Sequence, residues 1–211
     1  MQNFLYLTVH IRHFKIPFDI QLTRKQEMFN EFPELEKAIK TARTIELPQP
    51  GSKKYKFKTL PFGERGTKIE AKLLKEITNG MVDSINKHFP DFDYIVSHEP
   101  GGHTWGIMAA LKLNKSINIL RAAPSYEMEE LEVRRKTGYY QQDLYFNHFQ
   151  KGEKVLIIDD VISTGGTVET ILETLSSLEV KTIGVQAIYA KSKSYKKLEK
   201  KYSIPIKLLI S

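Results

Sequence analysis

The chain contains no cysteine among its 211 residues. This absence excludes disulfide bonds and metal sites built on thiolates. Long apolar runs are also missing, since no stretch approaches the roughly 20 apolar residues that a membrane-spanning helix needs. Residues 1–6 have neither the basic segment nor the small-residue cleavage site of a secretory signal. We therefore expect a cytoplasmic protein that does not enter the membrane.

The charge of the chain is unbalanced. Lysine and arginine number 32 against 25 acidic residues, which gives a net charge of +7 when histidine is neutral. Such an excess is compatible with nucleic acid, with polyanionic substrates or with neither. The densest group of lysines lies in residues 191–201 and is typical of the solvated face of a short helix. Composition alone therefore does not choose a partner.

Two adjacent carboxylates, Asp159 and Asp160, follow the apolar run 155–158. Such a run is typical of a strand buried on both faces of a parallel sheet. The interior of that strand would reject two charges. We therefore expect the carboxylates at its carboxyl end, where open α/β sheets bind their ligands.

A turn rich in glycine and hydroxyl groups follows, and its residues are Ser163, Thr164, Gly165, Gly166 and Thr167. Residues 168–175 then show the apolar spacing of a helix. Backbone N–H groups of such a turn point at one spot, and the helix N-terminus adds partial positive charge, so the spot suits a phosphate. A ribose 5-phosphate would satisfy both this turn and the neighbouring carboxylates. An ordinary strand–turn–helix explains neither the paired aspartates nor the turn, and the pattern is not a Walker loop.

The whole pattern, from the apolar run to Thr167, resembles the signature of the type I phosphoribosyltransferases, which use phosphoribosyl pyrophosphate (PRPP). The resemblance implies that Asp159 and Asp160 hold the ribose hydroxyls at the catalytic centre. It implies that residues 163–167 bind the 5-phosphate. Mg²⁺ is the implied cofactor, bound through PRPP and water, because no spacing of His, Asp and Glu here looks like a protein metal site.

A second strand, 94–96, leads into the glycine-containing loop Glu99, Pro100, Gly101 and Gly102. Two glycines at a helix start predict another anion site, although a tight turn that packs closely is the alternative. In the resembled family this is the pyrophosphate loop, and the cis peptide bond of that loop falls here between Glu99 and Pro100. Gly101 stands where adenine-specific members often carry arginine. A positive contact to pyrophosphate must therefore come from elsewhere.

Four cations are predicted to supply that charge. Arg121 follows the strand 117–120, and Arg134, Arg135 and Lys136 are consecutive in the polar segment 122–138. The resembled family has a mobile loop at this segment that closes over the pyrophosphate. A solvated loop without such a role is the alternative interpretation.

Three aromatic side chains, His98, His103 and Trp105, lie near the pyrophosphate loop in the sequence. A lone histidine or tryptophan is more often a packing residue than a ligand. We therefore predict packing roles for His98 and Trp105 and leave the role of His103 open.

The choice of purine base rests on Phe57, Tyr189 and Lys191. The turn 48–51 followed by Phe57 resembles a segment of adenine enzymes, in which backbone groups read the purine edge. Tyr189 is expected to stack on the base. Lys191 has the position from which 6-oxopurine enzymes donate to the 6-oxygen, but it also fits a solvent-facing role. The sequence favours adenine; the alternatives are hypoxanthine or guanine, and a non-catalytic PRPP-sensing regulator that binds nucleic acid.

Alternating strands and helices predict an α/β fold, a mostly parallel sheet flanked by helices. Residues 1–60 are predicted to form an N-terminal hood, with a helix over 23–43 interrupted near Pro33, and residues 61–211 the PRPP-binding core. A capping box at Thr67 and Glu70 predicts a helix from Thr67 to about His88. The resemblance also implies a homodimer, with the aromatic stretch 139–146 as a candidate contact.

Overall fold

The computed structural model describes residues 31–48, 54–66, 68–126, 128–136 and 141–211. Its helices are α1 (Pro33–Thr41), α2 (Ala71–His88), α3 (His103–Leu113), α4 (Gly166–Ser177) and α5 (Ser194–Tyr202). Its strands are β1 (Arg43–Pro48), β2 (Lys54–Thr59), β3 (Tyr94–His98), β4 (Ser116–Leu120), β5 (Leu131–Lys136), β6 (Gln141–Phe146), β7 (Lys154–Ile162), β8 (Lys181–Ala190) and β9 (Ile206–Ile210). Among the described residues, no helix has both the length and the apolar character needed to cross a bilayer.

A parallel sheet of five strands forms the centre of the molecule, in the order β4-β3-β7-β8-β9. Strand β7 shows why the sheet is buried on both faces. Leu156 and Ile158 belong to the hydrophobic cluster that includes α2 and α3, whereas Val155 and Ile157 belong to the cluster that includes α4. Successive side chains point to opposite faces of a strand, so a continuous apolar run fills both layers. The predicted fold class is confirmed.

The strand order reverses between β3 and β7, which are neighbours in the middle of the sheet. From β3 the chain moves outward to β4, and from β7 it moves outward in the other direction through β8 to β9. A crevice forms at such a switch point, outside the carboxyl ends of the two strands. Both predicted ligand loops leave the sheet there.

The described part of the N-terminal region packs on the core. Leu35 and Ala38 of α1 lie in the same hydrophobic cluster as Ile77 of α2. The helix predicted over 23–43 falls partly on residues 1–30, outside the described residues, and α1 begins at Pro33, where the interruption was expected. Residues 43–48 were not predicted as a strand, but they pair antiparallel with β2. This segment has too few apolar residues to show the alternating pattern of a strand.

Two predicted boundaries were wrong. Helix α2 begins at Ala71, and its N-cap, Glu70, makes no side-chain capping hydrogen bond. Thr67 lies outside the described residues. The segment 122–138, predicted as a loop, contains β5, which pairs antiparallel with β6 and lies beside α4. The strand was missed because most residues of β5 are charged, and a strand of a two-stranded hairpin needs few buried side chains.

The predicted dimer contact at residues 139–146 stays a prediction, but two of its side chains are buried within this chain. Leu144 and Phe146 are 0% and 1% exposed and belong to the cluster that packs on α4. They therefore stabilise the hairpin against the sheet, whereas Tyr145 between them is partly exposed. Residues 139 and 140 lie outside the described part of the chain.

Candidate active site

The paired aspartates lie within strand β7, near its carboxyl end, rather than after it. Pairing of β7 with β3 ends at Ile158, whereas its pairing with β8 continues to Ile162. Asp159 and Asp160 therefore occupy the stretch where one neighbouring strand has ended and the crevice opens. Their residues are nevertheless only 3% and 5% exposed. The prediction that buried carboxylates would be excluded from the strand was wrong by a few residues.

His98 explains how one of these carboxylates is tolerated. Its Nε2 lies 2.8 Å from Oδ1 of Asp159, and its Nδ1 lies 3.1 Å from the carbonyl oxygen of Glu99. The backbone N–H of Asp160 also donates to Oδ1 of Asp159, at 2.8 Å. His98 is buried, as the predicted packing role requires, but it forms specific polar contacts within the site. Sequence reasoning missed this because its partner lies 61 residues away.

The two carboxyl groups have different acid strengths. Burial opposes ionisation of Asp159, but the positive charge of His98 and the hydrogen bonds from His98 and Asp160 outweigh it and lower the pKa of Asp159. Burial and the neighbouring charge of Asp159 raise the pKa of Asp160 well above its ordinary value. A pair with divergent pKa values provides one carboxylate that ionises more readily and one that holds a proton more readily.

The turn after β7 is held in place by α5. Gly165 has a φ of 91°, and a Cβ there would lie 2.9 Å from Leu198 Cδ1. The carbonyl of Ser163 accepts hydrogen bonds from the hydroxyls of Ser192 and Ser194, at 3.2 and 3.0 Å. Glycine is thus required both by the left-handed backbone and by the close approach of α5. The turn presents its amides at the start of α4, as expected for a phosphate site.

The pyrophosphate loop packs directly against the aspartates. The Glu99–Pro100 peptide is cis, as the resemblance implied. A Cβ on Gly101 would lie 2.5 Å from Oδ1 of Asp160, and one on Gly102 would lie 2.8 Å from the carbonyl of Ile158. No arginine fits at position 101 with this backbone. The local geometry therefore explains why glycine stands at position 101, where adenine-specific enzymes often carry arginine.

Only one of the predicted pyrophosphate cations is shown next to this loop. Arg121 pairs with the carboxylate of Glu99 at 3.2 Å, and that carboxylate also accepts from the backbone N–H of Ala122 at 3.0 Å. Arg134 lies on β5 and pairs with Asp143 at 3.4 Å, and its side chain is 67% exposed. The side chains of residues 135 and 136 lie outside the described part of the structure. Glu99 thus holds the start of the 121–130 segment against the loop.

A pocket lies between the turn at residues 163–167 and the N-terminal region. It is lined by His98, by both aspartates, by residues 163–167 and by hood residues that include Phe57. Two further hood residues, Lys58 and Leu60, also line it, as do Gly63, Glu64 and Arg65 just after the hood. No local sequence signal marks these residues, because the hairpin and the turn after it approach the sheet only in the folded chain.

Lys191 lies in this pocket. Its Nζ is 4.3 Å from the centroid of the Phe57 ring, and its backbone N–H donates to the carbonyl of Ile162 at 2.9 Å. Burial lowers the pKa of Lys191, although the negative charges of Glu64 and Asp160 act in the opposite direction. Lys191 is thus partly buried in the pocket, and the predicted base residues Phe57 and Lys191 are neighbours.

Tyr189 is not brought to the pocket. It is partly buried and packs against the hydrophobic cluster that includes α2 and α3, so stacking on the base is not supported. Trp105 is 1% exposed and donates its indole N–H to the carbonyl of Phe62 at 2.8 Å, which confirms its packing role. His103 is the first residue of α3, and its Nδ1 is buried with no hydrogen-bond partner among the described residues.

The residues of the pocket fit the Mg²⁺ that PRPP would bring. Potential ligand atoms of His98, Asp159 and Asp160 lie within 4.8 Å of one another. Carboxylate oxygens are the donors that Mg²⁺ prefers, and it usually keeps substrate oxygens and water in its shell. Since the imidazole is already hydrogen-bonded to Asp159, the carboxylates provide the surface that would face such an ion.

Comparison with known proteins agrees with this geometry. The model of the "Phosphoribosyl transferase domain" family matches residues 67–208. A hypoxanthine/guanine phosphoribosyltransferase of Methanothermus fervidus is 34% identical over 143 residues, which are 67% of this chain and 74% of that protein. One of Aciduliprofundum boonei is 27% identical over 157 residues, covering 74% of this chain and 84% of the relative.

Solved structures of adenine phosphoribosyltransferases share the fold. The enzyme of Saccharomyces cerevisiae has a TM-score of 0.64 and 22% identity, covering 85% of this chain and 98% of its own. That of Trypanosoma brucei has a TM-score of 0.67 and 18% identity, covering 83% of this chain and 78% of its own. With the paired aspartates, the phosphate turn and the family match in place, the chain belongs to the phosphoribosyltransferase family.

Proposed function

We propose that the protein transfers the phosphoribosyl group of PRPP to a ring nitrogen of a 6-oxopurine, hypoxanthine or guanine, and releases pyrophosphate. The observation that carries the choice of base is the position of Lys191 in the pocket, beside Phe57. The sequence alone favoured adenine. The partly buried position of Lys191 in the pocket supports a 6-oxopurine instead, because it places this residue beside Phe57.

The pocket supports the transfer step. The turn 163–167 and the N-terminus of α4 would hold the 5-phosphate at one end, and the aspartates would hold the ribose hydroxyls beside it. Carbon 1 of the ribose gains positive character as pyrophosphate leaves, and the nearby carboxylate of Asp159 favours that charge. Mg²⁺ bound with PRPP supplies charge neutralisation for the leaving group. Catalysis thus rests on positioning and on electrostatic stabilisation.

Donor and acceptor patterns distinguish the bases. The 6-oxygen of hypoxanthine and guanine accepts hydrogen bonds, and a lysine ammonium offers only donors. The 6-amino group of adenine is itself a donor and would face a second donor at Nζ of Lys191. A buried group left without a partner costs enough to produce large discrimination between substrates. The curated relatives described above have names consistent with this choice.

Adenine is the second candidate, favoured by a different observation. Phe57 is 5% exposed, on the strand β2 that forms one wall of the pocket. Backbone C=O and N–H groups near it would read the adenine edge without any side chain.

One comparison of initial rates decides between these bases. Adenine, hypoxanthine and guanine are each supplied with PRPP and Mg²⁺ to the unaltered protein, to Lys191→Ala and to Lys196→Ala. Lys196 is an exposed residue of α5 and serves as the matched lysine control. We expect turnover of hypoxanthine or guanine that falls at least tenfold in Lys191→Ala only. Adenine turnover that survives the substitution would instead support the second candidate.

Absence of turnover with every base would contradict both candidates. A gel-shift at physiological salt then tests the non-catalytic regulator, since binding to nucleic acid depends on salt and on the basic charge of the chain. Binding of DNA or RNA without pyrophosphate release would support that third role.

A further inference from the structure

We propose that His98 is a positioning residue that fixes the Asp159 carboxylate against the pyrophosphate loop, so that the ribose and pyrophosphate sites form one rigid unit. This inference rests on the proposed function, since it assigns Asp159 to the ribose of PRPP.

The hydrogen bonds of His98 specify which atoms donate. The carbonyl oxygen of Glu99 can only accept, so Nδ1 of His98, 3.1 Å away, carries a proton. Nε2 of the same ring lies 2.8 Å from Oδ1 of Asp159 and donates to it when that nitrogen also carries a proton; a second donor contacts the same oxygen. That second donor is the backbone N–H of Asp160, at 2.8 Å. Oδ1 is thus held by two donors, and the rotation of the Asp159 carboxylate about its Cβ–Cγ bond is fixed.

The position of the contact between His98 and Asp159 in the sheet indicates what it does. The backbone ladder between β3 and β7 ends at the pair Ser97 and Ile158. His98 and Asp159 are the next residue on each strand, and their side chains meet at 2.8 Å. The side-chain hydrogen bond therefore continues the connection between the two strands after the backbone bonds stop. It does so at the switch point, where the crevice would otherwise let the two loops separate.

The same residue reaches the pyrophosphate loop. Glu99 donates its backbone N–H to the carbonyl of Leu120 at 3.0 Å and accepts at its own carbonyl from His98. The peptide bond that follows Glu99 is the cis bond of the loop. A single imidazole thus connects the backbone of this loop to the first carboxylate of β7. Loss of the imidazole would release the Asp159 carboxylate and this connection while leaving the aspartates themselves in place.

Because Oδ1 of Asp159 already accepts hydrogen bonds within the protein, Oδ2 is the oxygen that would bind the ribose. A carboxylate whose plane is fixed loses less freedom when a hydroxyl binds, which lowers the cost of binding. Without His98, the carboxylate can rotate and the ribose is held less well. We therefore expect the loss to fall on PRPP and not on the purine.

Three substitutions separate this role from simple packing. His98→Leu keeps apolar volume without either hydrogen bond. His98→Gln places an amide donor near the position of Nε2, and His98→Asn is too short to reach Asp159. Ile95→Ala is the control, since Ile95 is fully buried on the same strand and its truncation destabilises the fold without touching the site.

The measurements are KM and kcat for PRPP and for the purine, with thermal melting of each variant. We expect His98→Leu and His98→Asn to raise the KM for PRPP about tenfold, as expected for loss of one charged hydrogen bond, with the KM for purine unchanged. His98→Gln should recover most of this loss. Ile95→Ala should lower the melting temperature and leave the KM for PRPP unchanged.

The proposal is overturned if His98→Gln is as impaired as His98→Asn, or if the His98 variants lower only the melting temperature. If His98→Leu fails to fold, the comparison of Gln with Asn decides the matter. Titration calorimetry with PRPP and Mg²⁺ on the same proteins keeps the test independent of turnover. An unaltered protein that binds PRPP but releases no pyrophosphate would refute the proposed function, and the binding series would still test His98.

Discussion

The two adjacent aspartates should respond in opposite directions to the same substitution. Asp159→Asn removes the negative charge opposite His98, whereas Asp160→Asn removes a carboxylate whose ionisation is opposed by burial and by Asp159. We expect the first change to destabilise the ligand-free protein and the second to stabilise it. Both should prevent normal turnover, because both carboxylates are proposed to hold the ribose.

The magnitudes follow from the geometry. Candidate ligand oxygens of the two carboxylates lie within 4.8 Å of each other, and two unit charges at that separation repel by about 3 kcal/mol at an effective dielectric constant of about 20. The positive charge of His98 offsets part of this repulsion, so we expect Asp160→Asn to gain about 1 kcal/mol. A hydrogen bond to a charged group contributes roughly 1.5–3 kcal/mol, so we expect Asp159→Asn to lose about 2 kcal/mol.

Thermal unfolding followed by circular dichroism measures both effects, in buffer without divalent cations or phosphate. For a chain of this size, 1 kcal/mol corresponds to about 2–4 °C in melting temperature. Asp160→Asn should therefore melt about 3 °C higher and Asp159→Asn about 6 °C lower than the unaltered protein. Asp83→Asn, on the exposed face of α2, is the matched control and should change little.

The dependence on pH gives a second check. Because the folded-state pKa of Asp160 is raised, its penalty is present above that pKa and is lost as the pH falls toward the ordinary aspartate value of 3.8. The advantage of Asp160→Asn should shrink over the same range. For Asp159, whose folded-state pKa is lowered, the stabilisation is present above 3.8 and is lost as the pH falls below it. Shifts of the same sign for both variants, at neutral pH, would refute this account of the pair.

Three further predictions concern turnover and assembly. Replacing both Asp159 and Asp160 by Asn should abolish pyrophosphate release, and a native circular dichroism spectrum would show that the fold persists; unchanged activity would contradict the assignment. Gly101→Ala should lower kcat/KM for PRPP at least tenfold, because its Cβ would meet the Asp160 carboxylate. Gly152→Ala, where a Cβ meets nothing within 4 Å but the φ of 89° strains alanine, should lower the melting temperature and retain that activity. Sedimentation at micromolar concentration should give the mass of a homodimer, and a mass near that of one chain would exclude it.

The sequence by itself determined the sheet and the phosphate turn. An apolar run that fills both faces of β7 has no other stable place than the middle of a sheet, and glycines between strand and helix leave the turn few conformations. The positions of Asp159 and Asp160 near a carboxyl strand end, and the grouping of residues 163–167 in one pocket, followed from this local pattern. Local sequence suffices there because strand, turn and helix are contiguous in the chain.

Tertiary structure alone decided the features that depend on distant residues. His98 meets Asp159 across 61 positions, and Lys191 lies beside Phe57 across a still longer separation. Nothing in the neighbourhood of a lone histidine or of a lysine-rich helix records such a partner. The pKa values of the two aspartates also depend on tertiary structure, since burial and neighbouring charge are properties of the assembled crevice. Period and spacing located the candidate site, whereas its charge state and the neighbours proposed to select its base required the packing of the N-terminal region and the strands around it.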